Sequence, residues 1–124
     1  ISEILPTTDL LVGAVYIVGK KAPHVVTEAQ IKTMPQGSVA VDISIDQGGC
    51  LETSKPCTHD APTYSKHGVI HSAITNLPGA VPLASSKVLS QAILPETLRL
   101  ANGDWTPALE RGINVQNGKL LVAL

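Results

Sequence analysis

The sequence predicts an α/β fold: the second half of a doubly wound parallel sheet, followed by C-terminal helices and a terminal hairpin. Three observations predict it. Apolar, β-rich segments occur as runs, as expected for strands buried on both faces of a parallel sheet. Their order is strand, helix, strand, long loop, strand, which is half of a doubly wound unit. Aromatic residues are almost absent: the 124-residue chain has no Phe, one Trp and two Tyr. Its core must therefore be built from Ile, Val, Leu and Ala.

The elements follow in order. Ser2 to Leu5 reads as the end of a helix stopped by Pro6. Leu10 to Ile17 is the first apolar strand. Thr27 and Gln30 have the spacing of a capping box, with Val26 and Ile31 placed as a hydrophobic staple around it. That helix is expected from Glu28 to Met34, ending at Pro35 and Gly37. Ser38 to Ile43 is the second strand, and Ser44 to Gly49 follows its end. Cys50 to His67 is polar, carries Pro56 and Pro62, and reads as a long loop. Long loops often carry function. Gly68 to Ile74 is the third strand.

The pattern then changes. Ser85 or Ser86 is the expected cap of a helix with Val88, Leu89, Ala92 and Ile93 on one face. Pro95 is expected to kink it or to begin a new segment. Asp104 is the expected cap of a short helix from Trp105 to Glu110. Ile113 and Val115, then Asn117-Gly118, then Leu120 and Val122 predict a hairpin, since both turn positions require positive φ. Two parts result: residues 1–82 in the sheet and residues 83–124 in the helical segment and hairpin.

Composition excludes several classes. The formal net charge is −1 and charged residues are sparse, so no basic stripe for nucleic acid is expected. No apolar run is long enough for a membrane helix. The first residues lack the pattern of a signal peptide. Two cysteines, Cys50 and Cys57, are too few for a disulfide framework and suggest reduced thiols in the cytoplasm. Cys57, His59 and Asp60 are ligand types at a spacing that matches no familiar zinc pattern, so no metal is expected. The chain has no starting Met and reads as a fragment.

In doubly wound folds ligands meet the carboxyl ends of the strands. Here those ends are Val15-Tyr16, Ser44 to Gly49, and Ile74 to Pro78. Asp46 precedes two glycines that permit close approach to the backbone. It is either a proton-transfer group or a turn-capping acid. Asn76 can donate to and accept from a ribose hydroxyl or a carboxamide, or be a structural loop residue. His59, His67 and His71 are further candidates as acid/base or metal-binding residues. No G-x-G-x-x-G or G-x-x-x-x-G-K-[ST] motif occurs. Residue chemistry alone gives an incomplete nucleotide-binding half with an acid at its ligand edge.

Four segments carry more. DLLVGAVYIVGKKAP (Asp9 to Pro23), GSVAVDISIDQGG (Gly37 to Gly49), THDAPTYSKHGVIH (Thr58 to His71) and NLPGAVP (Asn76 to Pro82) resemble the C-terminal half of bacterial alanine dehydrogenases. The resemblance runs from about Thr8 to Leu121. The nucleotide-binding domain of the proton-translocating transhydrogenase shares the first segment, but that family is expected to lack the acid of DQGG. It supplies the alternative reading, a nucleotide-binding module without chemistry of its own.

The resemblance implies a Rossmann-type fold, NAD as cofactor, and interconversion of L-alanine and pyruvate with release of ammonia. It implies that Asp46 assists proton transfer near the substrate carbon. Val15 and Tyr16 would line the adenine-ribose side of NAD. Ile43, Ser44, Ile45 and Asp46 would lie beside the nicotinamide. Ile74, Thr75, Asn76 and Leu77 would close over the cofactor. Lys55 stands where relatives can carry an arginine near the nucleotide. The family's other catalytic residues, a histidine, a lysine and an arginine, belong to its N-terminal half. The glycine-rich loop and the ribose-binding acid are expected upstream of Ile1, so the chain alone is expected to be inactive. The apolar helix face after Pro82 would pack toward that missing part. The family implies a homohexamer in the cytoplasm, engaged in L-alanine catabolism.

Overall fold

The computed structural model describes residues 1–121. The chain divides into two compact units, Ile1–Ala80 and a second beginning at Val81.

The first unit holds a four-stranded sheet in the order β1-β2-β4-β3. The strands are β1 (Leu10–Gly13), β2 (Val39–Asp42), β3 (Tyr64–Lys66) and β4 (Val69–Ser72). β1, β2 and β4 are parallel, with Leu11 opposite Ala40 and Ala40 opposite His71. The three expected strands are therefore present, but each is shorter than its apolar run. β1 stops at Gly13 rather than Ile17 because the next amides find other partners: the Val15 N–H donates to Ser44 Oγ at 2.6 Å. β2 ends at Asp42, whose side chain accepts from the Ser44 N–H and starts a 3-10 helix, Ile43–Gln47.

β3 lies inside the stretch expected to be loop. It pairs antiparallel with β4, Tyr64 opposite His71 and Lys66 opposite Val69. The two-residue turn between them is His67-Gly68, with φ of 56° and 79°. Positive φ at both positions suits the strand twist of a tight hairpin. Histidine does this job less commonly than asparagine, so the turn was hard to read from sequence.

The helix α1 (Glu28–Ile31) lies between β1 and β2. Its capping box is formed: Thr27 Oγ1 accepts from the Gln30 N–H, and Gln30 Oε1 accepts from the Thr27 N–H at 2.8 Å. Val26 and Ile31 are both buried, as a staple requires. The helix ends at Ile31 rather than Met34, and the chain turns toward Gly37 at φ 83°. At the N-terminus, Pro6 sits within a 3-10 helix, Leu5–Thr7, rather than after a helix.

The core comprises Leu5, Val26, Ile31, Met34, Ala40, Cys50, Leu51 and Val69, with Leu11 and Val15 packed against it. Register puts Leu11, Ala40, Asp42, Val69 and His71 on that face of the sheet. Leu10, Val12 and Ile70 point the other way and are exposed.

The second unit contains α2 (Pro82–Ala101), α3 (Pro107–Arg111), and a hairpin of β5 (Val115–Gln116) and β6 (Lys119–Leu120). Three expectations are corrected here. α2 begins at Pro82, not at Ser85 or Ser86, because proline at the first turn loses no helical hydrogen bond. It continues through Pro95, so no new segment begins there. The cap of α3 is Thr106, which accepts from the Leu109 N–H at 3.3 Å, while Asp104 pairs with Arg99 at 3.2 Å. The Asn117-Gly118 turn has φ of 50° and 75°, as expected for the hairpin. Val122, expected in its second strand, lies outside the described residues.

Val88, Leu89 and Ile93 of α2 are exposed. No helix among the described residues is long and apolar enough to cross a membrane.

Candidate functional site

Three backbone segments leave the carboxyl ends of β1, β2 and β4. Ligands of open α/β sheets bind outside such ends.

The segment after β2 is the most constrained. Asp42 is a buried carboxylate that accepts five hydrogen bonds. Oδ1 takes the Ser44 N–H at 2.9 Å and the Cys50 thiol at 3.4 Å. Oδ2 takes Cys50 N–H at 2.8 Å, Leu51 N–H at 3.1 Å and Ser54 Oγ at 2.6 Å. Every partner is a donor, so both carboxylate oxygens act only as acceptors. Between these anchors the chain makes the 3-10 helix and then Gly48 and Gly49, with φ of 98° and 82°. A Cβ on Gly49 would stand 3.0 Å from Asp42 Oδ2 and 3.1 Å from Ser54 Cβ. The DQGG glycines are thus required by this tight return of the loop.

Asp46 projects from the 3-10 helix and is exposed. Its carboxylate accepts the Asn76 N–H, at 3.1 Å to Oδ1 and 3.3 Å to Oδ2. Asn76 adopts a left-handed φ of 50°, which asparagine tolerates well. The Asp46–Asn76 contact joins the ends of β2 and β4, residues 30 apart in sequence.

The remaining expected site residues fall in three places. Val15 is half-buried and tied to the buried Ser44. Tyr16 and Ile43 are exposed, and Ile45 is buried. Ile74 bridges to Cys57, the Thr75 N–H donates to the Cys57 carbonyl at 3.3 Å, and Leu77 begins a 3-10 helix, Leu77–Ala80. Lys55 is placed differently. Its ammonium sits 4.3 Å from the centre of the Tyr64 ring, and its N–H donates to the Tyr64 hydroxyl at 2.9 Å. Lys55, Ser54, Tyr64, Ser65 and Lys66 help to line a groove of about 430 Å³ beside β3.

Two of the candidate histidines, His71 and His67, are tied to neighbouring side chains, and His59 is exposed. His71 is buried, and burial pushes its pKa down. Its Nδ1–H donates to the Val69 carbonyl at 3.0 Å, which leaves Nε2 to accept from Thr53 Oγ1 at 2.8 Å. Its ring stacks on Tyr64, centroids 5.0 Å apart. His67 contacts the Glu28 carboxylate, which also pairs with Lys66 and Lys32. The His67 hydrogen bond is the main reason that Glu28 titrates below its usual range. Cys50 and Cys57 are free and buried, and burial pushes the Cys50 thiol up. Among the described residues no three His, Cys, Asp or Glu side chains converge as a metal site.

Asp42 is the site residue that the sequence pattern does not single out, since it falls within a strand run. The available signal was an acid inside the buried run VAVDIS, which burial alone would disfavour.

Comparison with known proteins identifies the fold's relatives. The family model described as "Alanine dehydrogenase/PNT, C-terminal domain" matches residues 1–123. Alanine dehydrogenase of Lysinibacillus sphaericus is 47% identical over 127 residues, covering 97% of this chain and 34% of its own length. Alanine dehydrogenase 2 of Staphylococcus aureus strain USA300 is 52% identical over 118 residues, covering 90% and 32% respectively. A solved L-alanine dehydrogenase superposes with a TM-score of 0.77 at 40% identity, over 97% of this chain and 35% of that one. A transhydrogenase from Sinorhizobium meliloti shares the fold, with a TM-score of 0.67 at 24% identity over 79% of this chain and 29% of that one. The chain spans about a third of the length of the curated relatives that it matches. It belongs to the alanine dehydrogenase/PNT C-terminal domain family.

Proposed function

We propose that this domain forms the cofactor-facing half of the active site of an NAD-dependent alanine dehydrogenase. The observation that carries the reading is the Asp46 carboxylate, exposed at the carboxyl end of β2 and oriented by the Asn76 N–H from the end of β4.

The residues at the strand ends fit NAD. Tyr16, Ile43 and Leu77 offer exposed apolar surface. The same strand ends carry the Asp46 carboxylate and the amide side chain of Asn76, the chemistry that a ribose or a carboxamide needs. Val15, Tyr16, Ile43 to Asp46, and Ile74 to Leu77 would hold it; Lys55 would join them by turning from Tyr64 toward a phosphate. When bound, NAD supplies the hydride acceptor for oxidation of L-alanine to pyruvate, with water consumed and ammonia released.

This chain's own contribution is proton handling and positioning. Asp46 accepts a proton from, or holds in place, the water or ammonia at the substrate carbon. Its neighbour Asn76 fixes the carboxylate's direction, so the group is oriented before substrate arrives. Residues 1–82 act as the cofactor half, and residues 83–124 present the exposed apolar side chains of α2 to the rest of the enzyme. The resemblance carries with it a homohexamer acting in the cytoplasm on L-alanine breakdown; light scattering on the assembled enzyme checks the hexamer.

The test is a graft, in which this chain replaces the third that it matches in the Lysinibacillus sphaericus relative. Asp46→Asn should lower kcat by roughly 10²–10⁴-fold, the usual worth of a proton-transfer group. NAD affinity should change far less. Full turnover in the variant would remove Asp46 from the reaction and leave the transhydrogenase-type module as the better reading.

A further inference from the structure

We infer that Asp42 is the positioning residue for Asp46: one buried carboxylate clasps both ends of the loop that carries it. The inference rests on the proposed role of Asp46, but its geometric part stands by itself.

The loop from Ile43 to Leu51 leaves β2 and returns to the core. Asp42 holds its beginning through the Ser44 N–H and its end through the Cys50 and Leu51 N–H groups. Asp46 lies midway between these anchors, four residues from each of Asp42 and Cys50. Two further ties act at the same points. Ser44 Oγ accepts the Val15 N–H, which fastens the start of the loop to the end of β1. Ser54 Oγ donates to Asp42 Oδ2, which fastens the segment after its end. Gly49 passes so close to Asp42 Oδ2 that a Cβ would touch it, so the clasp also limits how the loop can move.

Asp46 itself is exposed and lacks a packed environment to hold it. Its contact with the Asn76 N–H therefore depends on where the 3-10 helix puts it. A shift near 1 Å is enough to cost on the order of 10²-fold in rate at a reacting group. Asparagine at position 42 is a selective probe. Its amide oxygen can replace Oδ2 and keep three donors, but its NH₂ then faces the Ser44 N–H. That substitution opens the start of the loop and leaves the return in place.

The experiment has two readouts. The first is amide hydrogen exchange on the 124-residue chain. Asp42→Asn should speed exchange at Ser44 and at Asn76 by about tenfold or more. The amides of β2 paired to β1 should keep their wild-type rates. Uniform acceleration of all amides, or an unchanged Asn76, would overturn the inference, since a residue that only stabilises the fold would act everywhere. Ser54→Ala, a milder release of the same clasp, gives the same reading if Asp42→Asn does not fold: faster exchange at Asn76 is expected, and an unchanged rate overturns the inference.

The second readout is a double-mutant cycle on kcat in the graft. Asp42→Asn should lower kcat about 10–100-fold in the wild-type background and hardly at all beside Asp46→Asn, because the positioned group is already gone. Independent, multiplying losses would overturn it. If Asp46→Asn alone leaves kcat unchanged, the proposed function fails instead, and the exchange data still decide whether Asp42 places Asp46.

Discussion

His71 offers the sharpest prediction about what holds the first unit together. Replacing it with leucine keeps roughly the side-chain volume but removes three interactions. The Thr53 hydroxyl, itself buried, loses its acceptor, and the Val69 carbonyl loses a donor. Stranding a buried polar group costs about 1–3 kcal/mol. Loss of the stack on Tyr64 adds about 0.5–1.5 kcal/mol. His71→Leu should therefore cost about 2–4 kcal/mol at pH 8, measured by urea unfolding followed by circular dichroism.

The same residue sets a pH dependence. Burial lowers its folded-state pKa, so the unfolded chain binds the proton more readily. The neutral ring's contribution is complete above the unfolded value of about 6.5 and declines as pH falls below it. Wild type should lose stability between pH 6.5 and 5.5 more steeply than the leucine variant, so the gap between them narrows. A cost below about 1 kcal/mol at pH 8 would refute the hydrogen-bond account. A gap that stays constant or widens toward acid would refute the assignment of a buried neutral ring.

Three more predictions follow from the same structure. Ile31→Ala empties a fully buried site of the core and should cost about 2–5 kcal/mol in the same unfolding assay. Gly49→Ala puts a Cβ against Asp42 Oδ2 at a φ of 82°, and should cost about 1–3 kcal/mol while also lowering turnover of the graft. Glu28→Gln concerns acid stability: the folded pKa of Glu28 lies below its ordinary 4.5, so its contribution is present above that value and lost as pH falls through the depressed one. The glutamine variant should show a shallower acid limb below about pH 4.5 when stability is followed against pH.

What could be read from the chain depended on how local its cause was. The capping box at Thr27 and the Asn117-Gly118 turn are local chemistry, and both formed where they were expected. Strand ends were less legible because tertiary contacts set them. Nothing near Gly13 announces that the Val15 N–H will go to Ser44 rather than to a neighbouring strand. β3 was hidden by its polar neighbours and by a turn built on His67 in place of asparagine. Pro95 does not begin a new segment, since a 20-residue helix has turns on both sides to carry it past one missing N–H.

The candidate site was legible in position but not in wiring. The strand-end rule located Asp46 and Asn76, yet their contact is made across 30 residues and belongs to the fold. Asp42 shows the opposite failure. Its acid was visible, but its five donors come from residues 44 to 54, which only the return of the loop brings together.

The most direct test is alanine-dependent NADH formation, followed by absorbance, in the graft and in the 124-residue chain side by side. The graft should reduce NAD only when L-alanine is present, and Asp46→Asn should remove nearly all of that rate. The isolated chain should give none. A folded graft that binds NAD but does not oxidise alanine, or activity from the chain alone, would contradict the reading of this domain as the cofactor-facing half of the site.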